Sequence, residues 1–258
     1  MIELKTPAEI ERMRRAGQVV GGLLSHLVGM VRAGIRTKTL DEEALRYLQA
    51  QGATPAFLGY RGFPASICVS INEEVVHGIP GARRIGEGDL VSLDVGALVE
   101  GFYADAATTV AVGTVTSEAR RLMETTRRAL EDGIASAVVG HRLSDISAAV
   151  QRRVEQEGFG VVREFVGHGI GHALHEDPPV PNFGPPNTGP RLRSGMVLAI
   201  EPMVTLGSYE VEVLRDGWTA VTKDRSLAAH FEHTVALTEH GPDVLTAHSG
   251  ARAGAGVM

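Results

Sequence analysis

The chain has 258 residues, with 25 Lys and Arg against 31 Asp and Glu, 10 His, one Cys and a formal charge of −6. One cysteine excludes an intramolecular disulfide framework and a multi-cysteine zinc site, and the acid excess excludes a general nucleic-acid coat. No apolar run approaches the ~20 residues of a membrane span, and residues 1–5 lack the charged and apolar stretches of a signal peptide, so a cytoplasmic protein is expected.

Thr6-Pro7-Ala8-Glu9 opens the first element. Thr6 can cap, Pro7 suits the first helical position and Glu9 can close a capping box. Apolar residues then recur at helical spacing from Ile10 and Met13 to Leu27 and Val31, which predicts a helix ending near Gly34. Thr39-Leu40-Asp41-Glu42 reads as a second helix start, closed by Gly52. From 66 to 112 the pattern is that of antiparallel strands. Val91, Leu93 and Val95 alternate with Ser92 and Asp94, and Gly96 and Gly101 flank a turn. Helices are expected over about 117–138 and 144–156. Strands return near 161–166, 196–204, 210–222 and 230–237, with Asp216-Gly217 predicting a two-residue hairpin loop. The proline-rich stretch 178–190 reads as a fixed irregular loop. The Ala/Gly-rich stretch 246–258 reads as a disordered tail.

A quiet repeat runs through this order. Gly34-Ile35-Arg36, with a helix ending at Gly52, is echoed 106 residues later by Gly140-His141-Arg142 and Gly158. At the same offset Leu40 matches Ile146 and Leu48 matches Val154. Alone, two glycine-stopped helices coincide easily. The order helix, helix, strands occurs twice, however, and predicts two similar α+β halves, near 1–115 and 116–245, sharing one core.

Carboxylates interrupt the apolar strands. Asp94 and Asp105 sit in neighbouring antiparallel strands and could lie side by side. By themselves they read as well as a rim aspartate and a turn aspartate. Glu201 in Leu198-Ala199-Ile200-Glu201 and Glu232 in Phe231-Glu232-His233 change that balance. An isolated buried carboxylate is very costly, and no matching set of basic residues occupies these strands, so metal ions are the expected partners. His168, in Gly167-His168-Gly169-Ile170-Gly171, is a plausible nitrogen ligand, and His175 could face the same cleft. His172 reads as solvent-facing, and His230 and His233 read as structural. His77 alone reads as an ordinary turn histidine.

Together, Asn72…His77-Gly78-Ile79-Pro80, Asp94 with Asp105, His168-Gly169-Ile170-Gly171…His175-Glu176, Glu201-Pro202 and Phe231-Glu232-His233-Thr234 resemble the type I methionine aminopeptidases, over about 6–245. The resemblance implies the pita-bread fold, an α+β domain with an antiparallel sheet core flanked by helices. It implies two divalent ions (Co, Mn, Fe(II) or Zn), with Asp94 on one, His168 and Glu201 on the other, and Asp105 and Glu232 bridging. It implies metal-activated attack of water on the first peptide bond, with Glu201 moving the proton, His175 donating to the carbonyl oxygen and His77 contacting the amide nitrogen. The methionine pocket then maps onto Phe57, Tyr60, Phe63, Cys68, Leu174 and Trp218. The implied substrates are nascent peptides with a small second residue, met near the ribosome, and a monomer is the expected state. An X-Pro peptidase of the same fold, or a non-catalytic peptide-binding module, are the alternatives. Apparent metal affinity is expected to fall below about pH 6, because the ligands must be deprotonated.

Overall fold

In the computed structural model, which describes residues 2–247, the first helix, α1, spans Pro7–Met30. Its start follows the predicted chemistry. The Glu9 amide donates to the Thr6 hydroxyl at 3.3 Å, and the Thr6 amide donates to the Glu9 carboxylate at 2.7 Å. The second helix, α2, spans Thr37–Ala50 and begins two residues before Thr39. The predicted box of Thr39 with Glu42 is not used, because the helix has already begun and Thr39 lies inside it. An antiparallel bridge between Arg36 and Arg84 sets the start instead. The third helix, α3, spans Ser117–Ser136 and is capped by the Thr116 side chain. The fourth, α4, spans Leu143–Gln156.

The repeat is visible in the backbone. Both α2 and α4 have 14 residues. Gly34 and Gly140 precede them at φ +87° and +92°, and Gly52 and Gly158 follow them at +66° and +78°. A bridge of Arg142 to Arg191 stands before α4, as Arg36 to Arg84 stands before α2. One sheet takes in strands from both sides of this repeat.

That sheet is antiparallel and has nine strands. Its main path runs Thr54–Pro55, Leu90–Val99, Phe102–Ala111, Glu232–Thr238, Val197–Ile200, Gly167–Gly169 and Glu176–Val180. The hairpin between Leu90–Val99 and Phe102–Ala111 turns at Glu100-Gly101, both at positive φ, as a two-residue loop requires. Gly96 is therefore inside the strand, opposite Asp105, and not at the turn. Side chains alternate across the sheet. Val91, Leu93, Val95, Ala97, Ala104 and Ala106 pack with Leu23, Leu27, Leu40 and Leu48 of α1 and α2. Leu198, Ile200, Val235 and Leu237 pack with Leu122, Leu130, Ile146 and Val150 of α3 and α4. The helices thus cover one face and leave the other to the polar residues in between.

Three sequence expectations are revised. Glu176–Val180 is a strand despite Pro178 and Pro179, because it lies at the edge of the sheet, where proline need not donate to a neighbour. The Asp216-Gly217 loop is wider than two residues. The Leu214 amide bonds to the Thr219 carbonyl at 2.8 Å, and Asp216 accepts the Trp218 and Thr219 amides, each at 2.9 Å. An additional strand, Gly241–Val244, pairs with Glu232–Thr238. Beyond it Thr246 is buried, and its hydroxyl meets His233 Nδ1 at 2.8 Å. Of the expected tail, 248–258 lie outside the described residues. Among the described residues no helix is long and apolar enough to cross a membrane.

Leu245, just after the Gly241–Val244 strand, closes onto α1. A Cβ at Gly17 would stand 2.3 Å from the Leu245 carbonyl oxygen. Replacement Gly17→Ala should therefore destabilise the protein by about 1–3 kcal/mol, although alanine favours helix, since backbone must move. Thermal unfolding would show a lowered midpoint; an unchanged or raised one would contradict this packing.

Candidate metal centre and substrate pocket

The polar face of the sheet gathers the acids by register alone. Ala107 is opposite Asp94 on one side and opposite Glu232 on the other. Asp105 lies two residues from Ala107, so it shares that face. His233 pairs with Ile200 and Thr234 with Ala199, which sets Glu232 across from Glu201, one residue past its strand. His168 pairs with Ala199 and joins the same face. Ligand atoms of Asp105, His168 and Glu232 lie within 4.8 Å of one another. His168 Nε2 stands 3.5 Å from Asp105 Oδ2 and 3.6 Å from Glu201 Oε1.

The backbone aims these groups. His168 Nδ1 is 2.9 Å from the Gly169 carbonyl oxygen. A carbonyl only accepts, so Nδ1 keeps its proton and Nε2 faces the carboxylates. Thr234 holds Asp105. Its hydroxyl accepts the Asp105 amide at 3.0 Å and lies 2.8 Å from the Asp105 carbonyl oxygen and 3.1 Å from Oδ1. The Asn182 amide group donates to the Glu201 carbonyl oxygen at 3.0 Å.

The electrostatics are those of a site built for cations. Burial, with repulsion from Asp105 next, raises Asp94 to about 8. Burial raises Glu201 to about 8 and pushes Glu232 well up. Burial opposes the charged form of His168, but its bond to Asp105 and the carboxylates around it win, and its pKa rises to about 9. Asp94 Oδ1 is sealed from solvent and has no hydrogen-bond partner. A sealed, unpartnered carboxylate oxygen beside like charges fits a metal. Four carboxylates and one imidazole balance two divalent ions, and such a hard set suits Mn, Fe(II), Co or Zn better than copper(I).

A cavity of about 130 Å³ opens beside Asp94. Phe57, Tyr60, Phe63, Cys68, Leu174 and Trp218 wall it, and His77 and His175 stand at it. Cys68 lies in the strand Ile67–Ile71, which pairs with Leu90–Val99 in the same sheet and sets Cys68 directly opposite Asp94; burial followed by that carboxylate pushes its thiol up, so it stays a neutral wall. Phe63 meets Trp218 edge-on at 5.1 Å. The Asp216 turn holds the segment that carries Trp218. Tyr60 stacks on His175 at 5.2 Å, and His175 lies 4.1 Å from the His168 ring. Desolvation, then repulsion from His168, holds His175 below the usual histidine value, and burial lowers His77. Both rings are neutral at pH 7.

Residues 11–239 match the model of metallopeptidase family M24. The chain belongs to that family. It is 53% identical over 246 residues to methionine aminopeptidase 1 of Bacillus subtilis, covering 95% of this chain and 99% of the other. It is 47% identical over 253 residues to methionine aminopeptidase 1 of Mycobacterium tuberculosis, covering 95% of each. A solved methionine aminopeptidase from Thermotoga maritima superposes with a TM-score of 0.94 at 47% identity, over 95% of this chain and 99% of that one. A prolidase from Pyrococcus furiosus superposes with a TM-score of 0.79 at 23% identity, over 66% of its own length, and is alike in fold alone. The shared architecture is the pita-bread fold, and the M24 enzymes depend on paired divalent metals.

Within this M24 chain, all residues named from sequence for metal or substrate meet in one region. Four neighbours escaped sequence reading. Thr234 stands in the Phe231–Thr234 motif but was given no role of its own. His230, read as structural, is buried with Nε2 3.7 Å from Glu201 Oε2 and without a hydrogen-bond partner. Asn182 lies in the proline-rich stretch. Arg61, at φ +51°, stands at the pocket beside Tyr60, its guanidinium 5.4 Å from that ring. Only the polar position of Thr234 inside an apolar strand carried a local signal.

If Thr234 orients Asp105, Thr234→Val should weaken metal binding about tenfold while the fold persists. Calorimetric titration with Mn or Co reads this directly. An unaltered affinity would show that Asp105 needs no such support.

Proposed function

We propose that this M24 enzyme removes the N-terminal methionine from peptides whose second residue is small. The observation that carries the reading is the adjacency of a largely apolar cavity and a cluster of metal-ready acids. A thioether packs well against aromatic rings and sulfur, and Phe63, Trp218, Tyr60 and Cys68 offer both. The cavity has room for one side chain and opens on Asp94, which fits attack at the first peptide bond and not deeper in a chain.

Asp94, Asp105, His168, Glu201 and Glu232 would hold the two metals. When bound, these supply Lewis acidity and lower the pKa of water between them. The chain's own groups do the rest. Glu201 takes the proton of the attacking water and passes it to the departing amine. Neutral His175 donates to the scissile carbonyl oxygen, and its donation strengthens as charge builds there. His77 steadies the amide nitrogen. The pocket walls orient the substrate and exclude water from the side-chain end. Nascent peptides met near the ribosome by a cytoplasmic monomer are the setting we infer.

Protein loaded with Mn, Co or Fe(II) should release methionine from Met-Ala-Ser and leave Ala-Pro-Ala intact. Turnover of Ala-Pro-Ala alone would favour an X-Pro peptidase. Full loading with neither product would favour a binding module. Glu201→Gln should lower kcat by about a hundredfold or more.

Metal affinity should depend steeply on pH. Without cations Asp94 and Glu201 titrate at about 8 and His168 at about 9. Metal binds the deprotonated groups and must expel those protons, so affinity falls as pH drops through this range. The fall starts higher than the pH of about 6 expected for isolated ligands. Calorimetry across about pH 6–9 would reveal it as proton release; a flat affinity would contradict the ligand set.

A further inference from the structure

The residues before α1 do more than lead into it. The Lys5 side chain is only 1% exposed, and a lysine is almost never buried so far without a partner. Its Nζ lies 2.7 Å from Glu176 Oε2 and 3.4 Å from Glu3 Oε2. The other Glu176 oxygen accepts the Ala173 amide at 3.0 Å. One carboxylate therefore ties Lys5 to the turn 171–176, which carries Leu174 and His175. The turn is cut to admit the lysine. A Cβ on Gly171 would stand 2.1 Å from Lys5 Cε and 2.8 Å from Nζ. The main chain on either side is anchored too. The Lys5 amide donates to the Gly195 carbonyl at 2.7 Å, and the Tyr103 amide donates to the Gly171 carbonyl at 2.8 Å.

We propose that Lys5 is a positioning residue: through Glu176 it holds the turn that presents His175 to the scissile carbonyl. The role rests on the aminopeptidase reading above. Between Gly171 and Glu176 the chain forms neither helix nor strand. The exposed contacts of His172 with Glu3 and Glu9, at 3.5 and 3.4 Å, lie on the same side but are open to water and contribute little. Leu174 is buried, Tyr60 stacks on His175 and Phe102 lies against His172, and beside these contacts the Lys5–Glu176 pair is the buried ionic tie on the turn. Displacing a reacting group by a fraction of an ångström lowers the rate, and His175 acts most strongly in the transition state. Loss of Lys5 should therefore appear in kcat more than in KM.

Two measurements test this, on Lys5→Met and on Glu176→Gln, which keeps an acceptor for the Ala173 amide but removes the charge. In metal-free protein, amides of 171–176 should exchange about tenfold faster, with the 90–111 hairpin unchanged. In loaded protein, kcat for Met-Ala-Ser should fall about tenfold with KM altered less than about twofold. In a His175→Ala background the same change should cost less than about twofold, because the positioned group is gone. Equal losses in both backgrounds, faster exchange spread over the whole chain, or unchanged exchange in 171–176 would each overturn the role of Lys5. Should Lys5→Met fail to fold, Glu176→Gln decides by the same readings. A wild type that releases no methionine overturns the aminopeptidase reading instead, and the exchange data still report whether Lys5 orders the turn.

Discussion

Four carboxylates and an imidazole converge on one face of one antiparallel sheet, and that density of charge is tolerable only with cations among them. Without cations the groups hold on to protons: Asp94 and Glu201 move up to about 8 and His168 to about 9. One buried carboxylate oxygen, Oδ1 of Asp94, is left with no partner at all. Ionised together, such carboxylates drive apart unless the backbone forbids it. The architecture is a means of forbidding it.

The two-residue period of a strand does most of that work. In Leu90–Val99 the odd residues are apolar and bear on α1 and α2, so Asp94 is turned to the opposite face. In Val197–Ile200, Leu198 and Ile200 bear on α3 and α4, while Ala199 and the following Glu201 turn away. A slip of one residue in either strand would bury acids under helices and expose leucines. The hydrophobic effect on the helical side thereby pins the register on the metal side. Ala107, standing between Asp94 and Glu232, leaves room where any larger side chain would intrude on the acids.

The pocket is assembled by a different principle. Its walls come mainly from loops, and two of these are held by specific polar contacts. Asp216 caps the turn before Trp218. Glu176 and Lys5 brace the turn that carries Leu174 and His175. Cys68 alone arrives on a strand of the main sheet, paired with Asp94. The rigid sheet carries the acids, and the loops carry most of the cavity wall.

Much of this was legible in the chain. The Thr6–Glu9 box, the offset of 106 residues between glycine-stopped helices, and acids in apolar strands are local patterns with local causes, and each reappears in the structure. The clustered acids were readable because charge inside a hydrophobic strand is costly and therefore conspicuous, whereas the cavity's walls followed only from the family resemblance. The start of α2 differs from the Thr39 box because the bridge of Arg36 to the distant Arg84 starts the helix two residues earlier. The strand through Pro178 and Pro179 was missed because proline is tolerated only once a strand is known to lie at an edge. Lys5, Thr234, His230 and Asn182 gave little sign, since their partners are 171, 129, 29 and 19 residues away in sequence. The sequence by itself determined which residues are costly to bury and at what period they recur. Tertiary structure alone decided which of them meet, because contact across the sheet depends on register and strand order, and neither is written in any single segment.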